Sequence, residues 1–296
     1  MKIISILNRD SGFFSQLFFL LNHFLYADEN KCEFIIDSGN WLFKFNNGWS
    51  DYFLIYDNLV GTNPENNLNN TIVLKHGNIL KQYKIIDYIS AIKKIYKLNN
   101  YVFENIKNVK INFNIEINEY SGIFIRRGDK LISESDYIPA EKYIQLLLKI
   151  NPDCKIIFLQ TDDYSSFIEL EEFILKNNLD IKIYTLCDKN THGMVIFNYH
   201  LQTIKNNKLK YDEYLKTANI LNSKSVDNYN CDEIKSHTLT MLTGIHILLD
   251  SKFCVLDYQS NVSRFIKLAH NNIDSVYDVN LFDLDLNKSI CPAYSF

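Results

Sequence analysis

Residues 154–178 read CKIIFLQTDDYSSFIELEEFILKNN, in which an apolar run is followed by a polar turn and an amphipathic run. The apolar run predicts a β-strand over 154–160, and the periodicity of the second run predicts a helix that begins near Ser165. We expect Ser165 or Ser166 to cap this helix, with Glu169 as its capping-box partner. Strands as continuously apolar as this one are typical of parallel sheets that helices cover on both faces. The stretch therefore predicts an α/β protein.

The same alternation of apolar strands and helical runs recurs along the chain. Further strands are predicted over 1–8, 32–38, 71–76, 121–126, 180–186 and 252–258, with helices over 12–27, 138–150, 232–251 and 260–270 and one or two within 83–113. This order predicts two α/β domains with mostly parallel sheets, an open N-terminal domain over 1–118 and a Rossmann-like domain over 119–296. Residues 39–53 are predicted to form a structured loop, and 187–232 a lid or a binding element.

The charges of the chain are close to balance. It carries 31 Lys and Arg residues against 35 Asp and Glu residues, which is a formal net charge of -4. This balance argues against a general nucleic-acid binder and against a polybasic membrane binder. A site for an anion must therefore be a local cluster of charge.

The cysteines indicate no metal site, and the apolar segments indicate no membrane span. The six cysteines include no CxxC pair and no histidine at zinc-finger spacing, so we expect reduced thiols and no zinc. The apolar stretch 12–27 is interrupted by Gln16, Asn22 and His23 and is too short to span a bilayer. We predict a cytoplasmic protein, and the sequence carries no signal for its oligomeric state.

Three polar clusters follow predicted strands. They are RRGDK over 126–130, TDD over 161–163 and DYQSN over 257–261. Ligands of parallel α/β sheets bind beyond the carboxyl ends of the strands. We therefore expect the functional site at that edge of the sheet, where the three clusters lie.

The first cluster has two interpretations. Arg126 or Arg127 beside Lys130 could clamp a diphosphate, because arginine offers a fixed fork of donors and lysine adds a mobile charge. Alternatively, Asp129 pairs with one of the arginines in a salt-bridged turn. Glu134, just beyond, could be a general base that takes a proton from an acceptor hydroxyl, or an ordinary solvated charge.

The other two clusters are equally open. Asp162 and Asp163 could bind ribose or sugar hydroxyls, bind a magnesium ion or share a proton, and Asp163 could instead, or in addition, cap the next helix. Ser260 and Asn261 lie at a strand-to-helix junction, where free backbone N–H groups favour an anion; alternatively, Ser260 is a simple helix cap. The turn at 9–17 lacks the GxGxxG spacing of a dinucleotide site.

Four stretches, taken in order, resemble the α1,6-fucosyltransferase family, which includes the N-glycan core and rhizobial Nod-factor fucosyltransferases. They are SGNWLFKFNNGWSDYF (38–53), IRRGDKLISESDYIPAEKY (125–143), FLQTDD (158–163) and IHILLDSKFCVLDYQSNVSR (245–264). The second stretch is similar to the family's pattern of two arginines, Asp-Lys, a Glu four residues on and then aromatic-x-Pro-x-Glu-x-Tyr. The resemblance covers the catalytic region.

This resemblance implies a GT-B-like, inverting transferase that uses GDP-fucose without a metal ion. The donor-binding residues that it implies are Arg126, Arg127, Asp129, Gly12, Asp162, Asp163, Ser260 and Asn261. It further implies that Glu134 is the catalytic base, that Lys130 is its partner and that Arg126 stabilises the leaving group. Arg9 would lie toward a saccharide acceptor.

Three positions depart from the family. Phe124 stands where the family has a histidine, Gly244 where it has an aspartate expected to read guanine, and Phe14 where it has the second glycine of the first loop. Two alternatives to GDP-fucose transfer follow. One is a transferase that uses another nucleotide sugar on the same scaffold, and the other is a catalytically silent nucleotide- or sugar-binding protein.

Overall fold

The computed structural model describes residues 1–55, 70–133, 136–200 and 224–281. These residues form two compact units. The first holds 1–55, 70–104 and 230–239, and the second holds 105–133, 136–200, 224–229 and 240–281. The assignment of the predicted domains 1–118 and 119–296 to donor and acceptor roles stays a prediction.

The first unit is built on a parallel sheet of three strands. Its strands are β1 (Lys2–Ile6), β2 (Glu33–Asp37) and β3 (Thr71–Lys75), in the order β2-β1-β3. Helix α1 (Phe13–Glu29) connects β1 to β2, and α2 (Ile85–Ile95) follows β3. Parallel neighbours need a crossover connection, and α1 is that connection between the first two strands.

Between β2 and β3 lies the predicted structured loop, and a single carboxylate organises it. Asp51 accepts hydrogen bonds of 2.7–3.0 Å from four successive backbone N–H groups, those of residues 45–48. Trp41 and Trp49 belong to this loop, and both are buried. The carboxylate satisfies donors that no strand or helix pairs, so an irregular segment holds one conformation.

The second unit carries a parallel sheet of five strands. They are β4 (Ser121–Ile125), β5 (Ile156–Thr161), β6 (Lys182–Thr185), β7 (Cys254–Leu256) and β8 (Val276–Asp278), in the order β6-β5-β4-β7-β8. The chain moves outward from β4 through β5 to β6, and returns to the other side of β4 with β7. The topological switch point of this sheet therefore lies between β4 and β7.

Helices cover both faces of this second sheet. They are α3 (Asn100–Phe113), α4 (Lys130–Ser133), α5 (Ala140–Ile150), α6 (Ser165–Lys176), α7 (Cys231–Leu249) and α8 (Asn261–Ala269). Ile123 and Ile157 belong to a core with Ile144 and Leu147 of α5 on one face. On the other face α7 packs so closely that a Cβ atom on Gly122 would lie 2.7 Å from Leu248. Burial on both faces explains why β4 is apolar from Gly122 to Ile125.

The elements confirm most of the predicted secondary structure, and the predicted α/β class with parallel sheets is confirmed. The predicted cap of α6 is wrong. Ser165 and Ser166 lie inside the helix, and the backbone N–H of Ser165 donates to Asp163 Oδ1 at 3.0 Å. Glu169 reaches no backbone group of the first turn of α6. It binds Arg127 instead, as described below.

Candidate functional site

A pocket opens at the switch point of the five-stranded sheet, beyond the carboxyl ends of β4 and β7. Its walls are formed by Phe124, Arg126, Lys130, Asp257, Gln259, Ser260 and Ser263. The first three residues follow from β4 and the others from β7 and the first turn of α8. This is the position at which doubly wound sheets bind their ligands. Two of the three polar clusters, RRGDK and DYQSN, therefore meet in one pocket.

Arg126 lies in the wall of this pocket and is held by two carboxylates. Its Nη1 donates to Asp162 and its Nη2 donates to Asp129. The same Nη1 also donates to the carbonyl oxygen of Arg127 at 2.8 Å. Asp129 therefore pairs with one arginine, as the salt-bridged turn required, and the guanidinium keeps a fixed orientation beside the pocket.

Asp129 is buried in this network and remains a carboxylate. Burial acts to raise the pKa of Asp129, but the charge of Arg126, the nearby His200 ring, the N–H of Ile196 and the charge of Lys130 together lower it below its ordinary value. His200 Nδ1 lies 3.3 Å from its Oδ2. The turn thus keeps a negative charge beside Arg126 at neutral pH.

Arg127 points away from the pocket and is buried. Its Nη1 and Nη2 donate to the two carboxylate oxygens of Glu169, each at 2.8 Å, and Nη1 donates to Ser165 Oγ at 2.7 Å. The guanidinium also lies 4.6 Å from the centre of the Tyr137 ring. Glu169 in turn accepts from Tyr137 and from the N–H of Ala140. Arg127 therefore ties the end of β4 to α5 and α6.

The TDD turn after β5 supports both arginines. Asp162 Oδ1 accepts the backbone N–H of Arg127 at 2.7 Å, while its Oδ2 accepts from Arg126 and from the N–H of Met194. Asp163 is fully buried and accepts from the backbone and side chain of Ser165. The alternative in which Asp163 serves the start of the helix is therefore realised.

Residues 191–196 complete this frame, and sequence reasoning did not single them out. The carbonyl of Met194 accepts the N–H of Asp129 at 3.0 Å, and the N–H of Gly193 donates to the carbonyl of Asp162 at 2.8 Å. They belong to the predicted lid or binding element 187–232, of which 201–223 lie outside the described residues. No periodicity or motif marks these positions, because they act through backbone groups.

Gly128 allows the backbone of residues 191–196 to approach the turn that follows β4. Its φ is +61°, and a Cβ atom there would lie 2.2 Å from the carbonyl oxygen of Met194. Both the left-handed conformation and the close approach require glycine. The glycine of RRGDK is thus explained by the backbone of the crossing segment.

At the other side of the pocket, Ser260 caps α8. Its Oγ accepts the N–H of Ser263 at 3.1 Å, which realises the cap alternative. Asn261 is the first residue of the helix, and its Oδ1 accepts from Arg264 at 3.3 Å. The first turn of a nine-residue helix with its positive dipole end therefore faces the wall that carries Arg126 and Lys130.

Asp257 places a carboxyl group in the same pocket. Burial raises the pKa of Asp257, and the charge of Asp278 raises it further. The Asn280 side chain donates to both carboxyl groups, at 2.8 Å and 3.0 Å. Asp257 begins the DYQSN cluster, and its position directly after β7 was the signal that could have identified it.

Comparison with solved structures identifies the fold. The fucosyltransferase NodZ from Bradyrhizobium aligns with a TM-score of 0.59 at 12% sequence identity, over 94% of this chain and 95% of that chain. NodZ α1,6-fucosyltransferase soaked with GDP-fucose aligns with a TM-score of 0.59 at 11% identity, over 94% and 95%. The chain has the fold of a fucosyltransferase. This confirms the predicted GT-B-like α/β class.

A plant structure aligns with the same fold. A mutant of Arabidopsis thaliana FUT1 in complex with GDP aligns with a TM-score of 0.51 at 10% identity, over 94% of this chain and 70% of that chain. No protein-family model and no curated protein sequence matches the chain. The likeness is therefore one of fold.

Three other predicted site residues lie in the first unit or outside the described residues. Gly12 is the residue before α1, with φ of −66°, and its carbonyl accepts the N–H of Gln16 at 3.1 Å. Arg9 is exposed in the same loop of the first unit. Glu134 follows α4 and lies outside the described residues. Their roles stay predictions.

Metal ligands and membrane spans were also sought. Across 1–55, 70–133, 136–200 and 224–281, no three His, Cys, Asp or Glu side chains are grouped to hold a metal ion. Among the helices that the structure describes, none is both long and apolar enough to cross a membrane. The cytoplasmic location stays a prediction.

Proposed function

We propose that this protein is an inverting glycosyltransferase that transfers fucose from GDP-fucose to a hydroxyl group of a saccharide acceptor. One observation carries the proposal: a chain with the fold of NodZ has, at the switch point of its second sheet, a pocket that joins Arg126 and Lys130 to the start of α8. A NodZ crystal of the same fold was soaked with GDP-fucose. The pocket therefore offers a diphosphate two cations and a helix N-terminus.

In this proposal the donor diphosphate lies between Arg126 and the first turn of α8. Asp129 and Asp162 hold the guanidinium in place, so that little reorganisation is needed when the diphosphate leaves. Both carboxylates also offset the charge of Arg126, and Lys130 adds a second positive charge to the pocket wall. Ser260 and Asn261 present the helix terminus to phosphate oxygens.

Arg127 acts on the donor site indirectly, by fixing the residues that position Arg126. Its guanidinium is engaged by Glu169 and Ser165, so its contribution is to fix the end of β4 and hence the position of Arg126. Asp163 supports that frame from the start of α6. Donor contact is thereby assigned to Arg126, and positioning to Arg127.

The transfer step is an in-line displacement at the anomeric carbon of fucose. The acceptor hydroxyl oxygen forms a bond to the anomeric carbon of fucose while the bond from that carbon to the phosphate oxygen breaks. GDP takes the electron pair of the broken bond, and Glu134 takes the proton of the hydroxyl, with Lys130 as its partner. Attack on the face opposite GDP inverts the anomeric configuration. The side-chain cations neutralise the leaving group, so no metal ion is required.

The roles in the first unit concern the acceptor and the nucleotide. Gly12, in the loop after β1, would let the backbone approach the nucleotide. Arg9 in the same loop would bind the saccharide acceptor. The enzyme would act in the cytoplasm, and the acceptor belongs to the general class of glycans and saccharides.

A nucleotide panel tests the donor. GDP, UDP, dTDP and CDP are compared by thermal denaturation, and a ligand at one hundred times its Kd should stabilise the protein by about 2.7 kcal/mol. We expect GDP to give the largest shift. A strong response to UDP without a response to GDP would replace GDP-fucose by another nucleotide sugar. No response to any of the four would remove the transferase proposal.

Turnover distinguishes an enzyme from a silent binding protein. GDP release from GDP-fucose is measured with a panel of saccharide acceptors, for the native chain and for Glu134→Gln. We expect GDP to bind both proteins, but turnover to fall at least a hundredfold in the variant. Unchanged turnover would exclude Glu134 as the base. Activity in the presence of a chelator, and an inverted anomeric centre in the product, test the rest of the mechanism.

A further inference from the structure

Asp257 is an acid in the wall of a pocket that otherwise suits an anion. It follows β7 directly and lines the switch-point pocket with Arg126, Lys130 and Ser260. An ionised carboxyl group repels a bound diphosphate, because a like charge nearby disfavours the charged form. The side chain therefore either meets an uncharged part of the ligand or is itself uncharged when the anion is bound.

The two oxygens of this carboxyl group have different surroundings. Oδ1 accepts the backbone N–H of Gln259 at 3.1 Å and the side-chain amide of Asn280 at 2.8 Å. No described residue donates to Oδ2. A neutral carboxylic acid divides its oxygens in this way, because its carbonyl oxygen accepts while its hydroxyl group donates. The geometry leaves Oδ2 to carry a proton and to donate to a ligand.

The surroundings of Asp257 favour the protonated form. Burial raises the pKa of Asp257 above its ordinary value, and the charges of Asp278 and Asp136 raise it further, against the hydrogen bonds from Gln259 and Asn280. The amide of Asn280 also donates to Asp278 Oδ1 at 3.0 Å, so one side chain holds two carboxyl groups close together. A proton on Asp257 relieves the repulsion between them.

The charge balance of the pocket wall points the same way. Arg126 and Lys130 bring two positive charges, and Asp129 and Asp162 already hold Arg126 with two negative ones. An ionised Asp257 would add a third negative charge, so a dianionic diphosphate would meet surroundings of net negative charge. A neutral Asp257 removes that repulsion and adds a hydrogen-bond donor for a phosphate oxygen.

We propose that Asp257 binds the donor diphosphate as a neutral acid whose Oδ2–H donates to a phosphate oxygen, an assignment that rests on the proposed function. Where the free chain holds Asp257 ionised, binding takes up one proton from the solvent. The anion favours the protonated form, so the pKa of Asp257 is higher in the complex than in the free chain. Affinity therefore falls as pH rises through the range between these two values.

The charged and titratable groups around Asp257 come from three sides. They are Asp278 at the end of β8, Asp136 and Tyr143 before and on α5, and Arg126 and Lys130 on the β4 side of the pocket. Burial raises the pKa of Tyr143 well above its ordinary value, so this side chain stays neutral. Burial also raises the pKa of Asp278, but Asp278 does not line the pocket. A proton taken up on diphosphate binding is therefore assigned to Asp257.

GDP-fucose is the probe for the native chain, because both of its phosphates are diesters and neither titrates near neutral pH. Its Kd is measured by isothermal titration without an acceptor at about pH 6, 7 and 8. We expect Kd to rise about fivefold or more over this range, since each pH unit changes Kd by at most tenfold for one linked proton. The heat of binding at pH 7, compared in buffers of different ionisation enthalpy, should show net proton uptake.

Two variants of Asp257 and one control complete the experiment. Asp257→Asn accepts through its amide oxygen and donates through its amide nitrogen without a proton from solvent. Its Kd should stay constant within about twofold, should lie below the native value at pH 8, and should show no proton uptake. Asp257→Ala also loses the hydrogen bond, so its Kd should be about tenfold higher than that of Asp257→Asn. Asp180→Asn changes an exposed carboxylate and should keep the native pH profile.

UDP-glucose and pyrophosphate separate a failure of this assignment from a failure of the proposed function. If neither of them nor GDP-fucose binds the native chain, the proposed function fails and the assignment fails with it. If UDP-glucose binds and GDP-fucose does not, GDP-fucose is replaced as the donor, and the same pH series with UDP-glucose tests Asp257. A Kd that rises with pH there keeps the assignment.

The assignment alone fails on any of three results. The first is a nucleotide sugar that binds the native chain with a constant Kd and without proton uptake, a result that requires no variant to fold. The second is a native pH profile that persists in Asp257→Asn, which would assign the response to another group such as His200 beside Asp129. The third is Asp257→Asn weakening GDP-fucose but not pyrophosphate, which would place a carboxylate against the sugar hydroxyls.

Discussion

Arg127 and Glu169 face each other across the end of β4, joined by two parallel hydrogen bonds of 2.8 Å. Burial alone would raise the pKa of Glu169, but the bonds and the charge of Arg127 lower it below its ordinary value, so both partners stay charged. The pair connects the strand that precedes Arg126 to two helices on one face of the sheet. We expect the position of the donor cation to depend on it.

Removal of one partner of this pair should destabilise the protein strongly. Glu169→Gln removes the nearer of the two carboxylates beside the buried guanidinium and leaves only Asp163, whose Oδ2 lies 3.5 Å from Nη1, so we expect a loss of about 3 kcal/mol in the free energy of unfolding, measured with urea. Asp180→Asn removes the partner of Lys155 in an exposed pair and serves as the matched control. The control should leave the urea midpoint unchanged. Equal urea midpoints for the two variants would show that the Arg127–Glu169 pair does not stabilise the fold.

Substitution of two glycines distinguishes the cost of backbone strain from the cost of a steric clash. Gly77 has φ of +93°, and a Cβ atom there would have no neighbour within 4 Å, whereas Gly128 has φ of +61° and its Cβ atom would meet Met194 at 2.2 Å. Gly77→Ala should cost about 1 kcal/mol, which is the strain of the left-handed conformation alone. Gly128→Ala should cost about 3 kcal/mol, because over-packing adds about 1–3 kcal/mol.

Unfolding in urea and GDP binding are both measured for the two alanine variants. The Gly128 variant should also bind GDP more weakly, since residues 191–196 would have to move away from Asp129 and Asp162. The Gly77 variant should bind normally. Similar losses of stability in both variants would contradict the close approach at Gly128.

Much of the secondary structure and the place of the pocket could be predicted from the sequence, by the periodicity of apolar residues and by the ends of the predicted strands. Strands such as β4 and β5 are mostly apolar because both faces are covered, and that pattern is local. The pocket at the ends of β4 and β7 follows from a general rule of parallel sheets. The strands and the position of the pocket could therefore be predicted without knowing which distant residues pack against them.

The roles that sequence did not indicate depend on distant partners. Glu169 stands at capping-box spacing, yet a buried guanidinium 42 positions earlier attracts it more strongly. Met194 acts on the arginine turn through its backbone, which any residue type offers. Gln160 and Gly244 can be explained only as a pair, because the Gln160 side chain fills the space that the missing side chain of Gly244 leaves. Such pairs cannot be recognised from one position at a time.

Acid should destabilise the folded chain through buried histidines. His23 bonds to Ser5 and to the carbonyl of Asn78, and burial lowers its pKa below the ordinary value. His270 is also buried with a lowered pKa. The unfolded chain therefore takes up protons on these residues before the folded chain does, and stability falls as pH drops below about 6.5.

The measurement is the urea midpoint from pH 8 to pH 5. We expect a constant midpoint above about pH 7 and a fall below about pH 6.5, where the unfolded histidines become protonated. His23→Asn keeps a polar side chain but cannot take up the proton, so its midpoint should fall less steeply. A midpoint that is as steep in the variant as in the native chain would assign the acid response to other groups.

Lys130 should contribute to donor binding through its charge. It is half-buried in the pocket wall, and Arg126 beside it is already engaged by two carboxylates. Lys130→Met keeps the aliphatic length and removes the charge, and the lost charged contact should raise Kd for GDP by at least tenfold, since such contacts contribute about 1.5–3 kcal/mol. The free energy of unfolding is measured alongside, because the charge of Lys130 also helps to lower the pKa of Asp129.

Lys142→Met provides the matched control, because Lys142 is exposed on α5 and lies away from the pocket wall. Isothermal titration with GDP and with pyrophosphate is compared for both variants. Only the Lys130 variant should weaken the two ligands, and by the same factor, because the diphosphate is the part that they share. A loss confined to GDP would place Lys130 near the nucleoside, and identical affinities in both variants would remove it from the donor site.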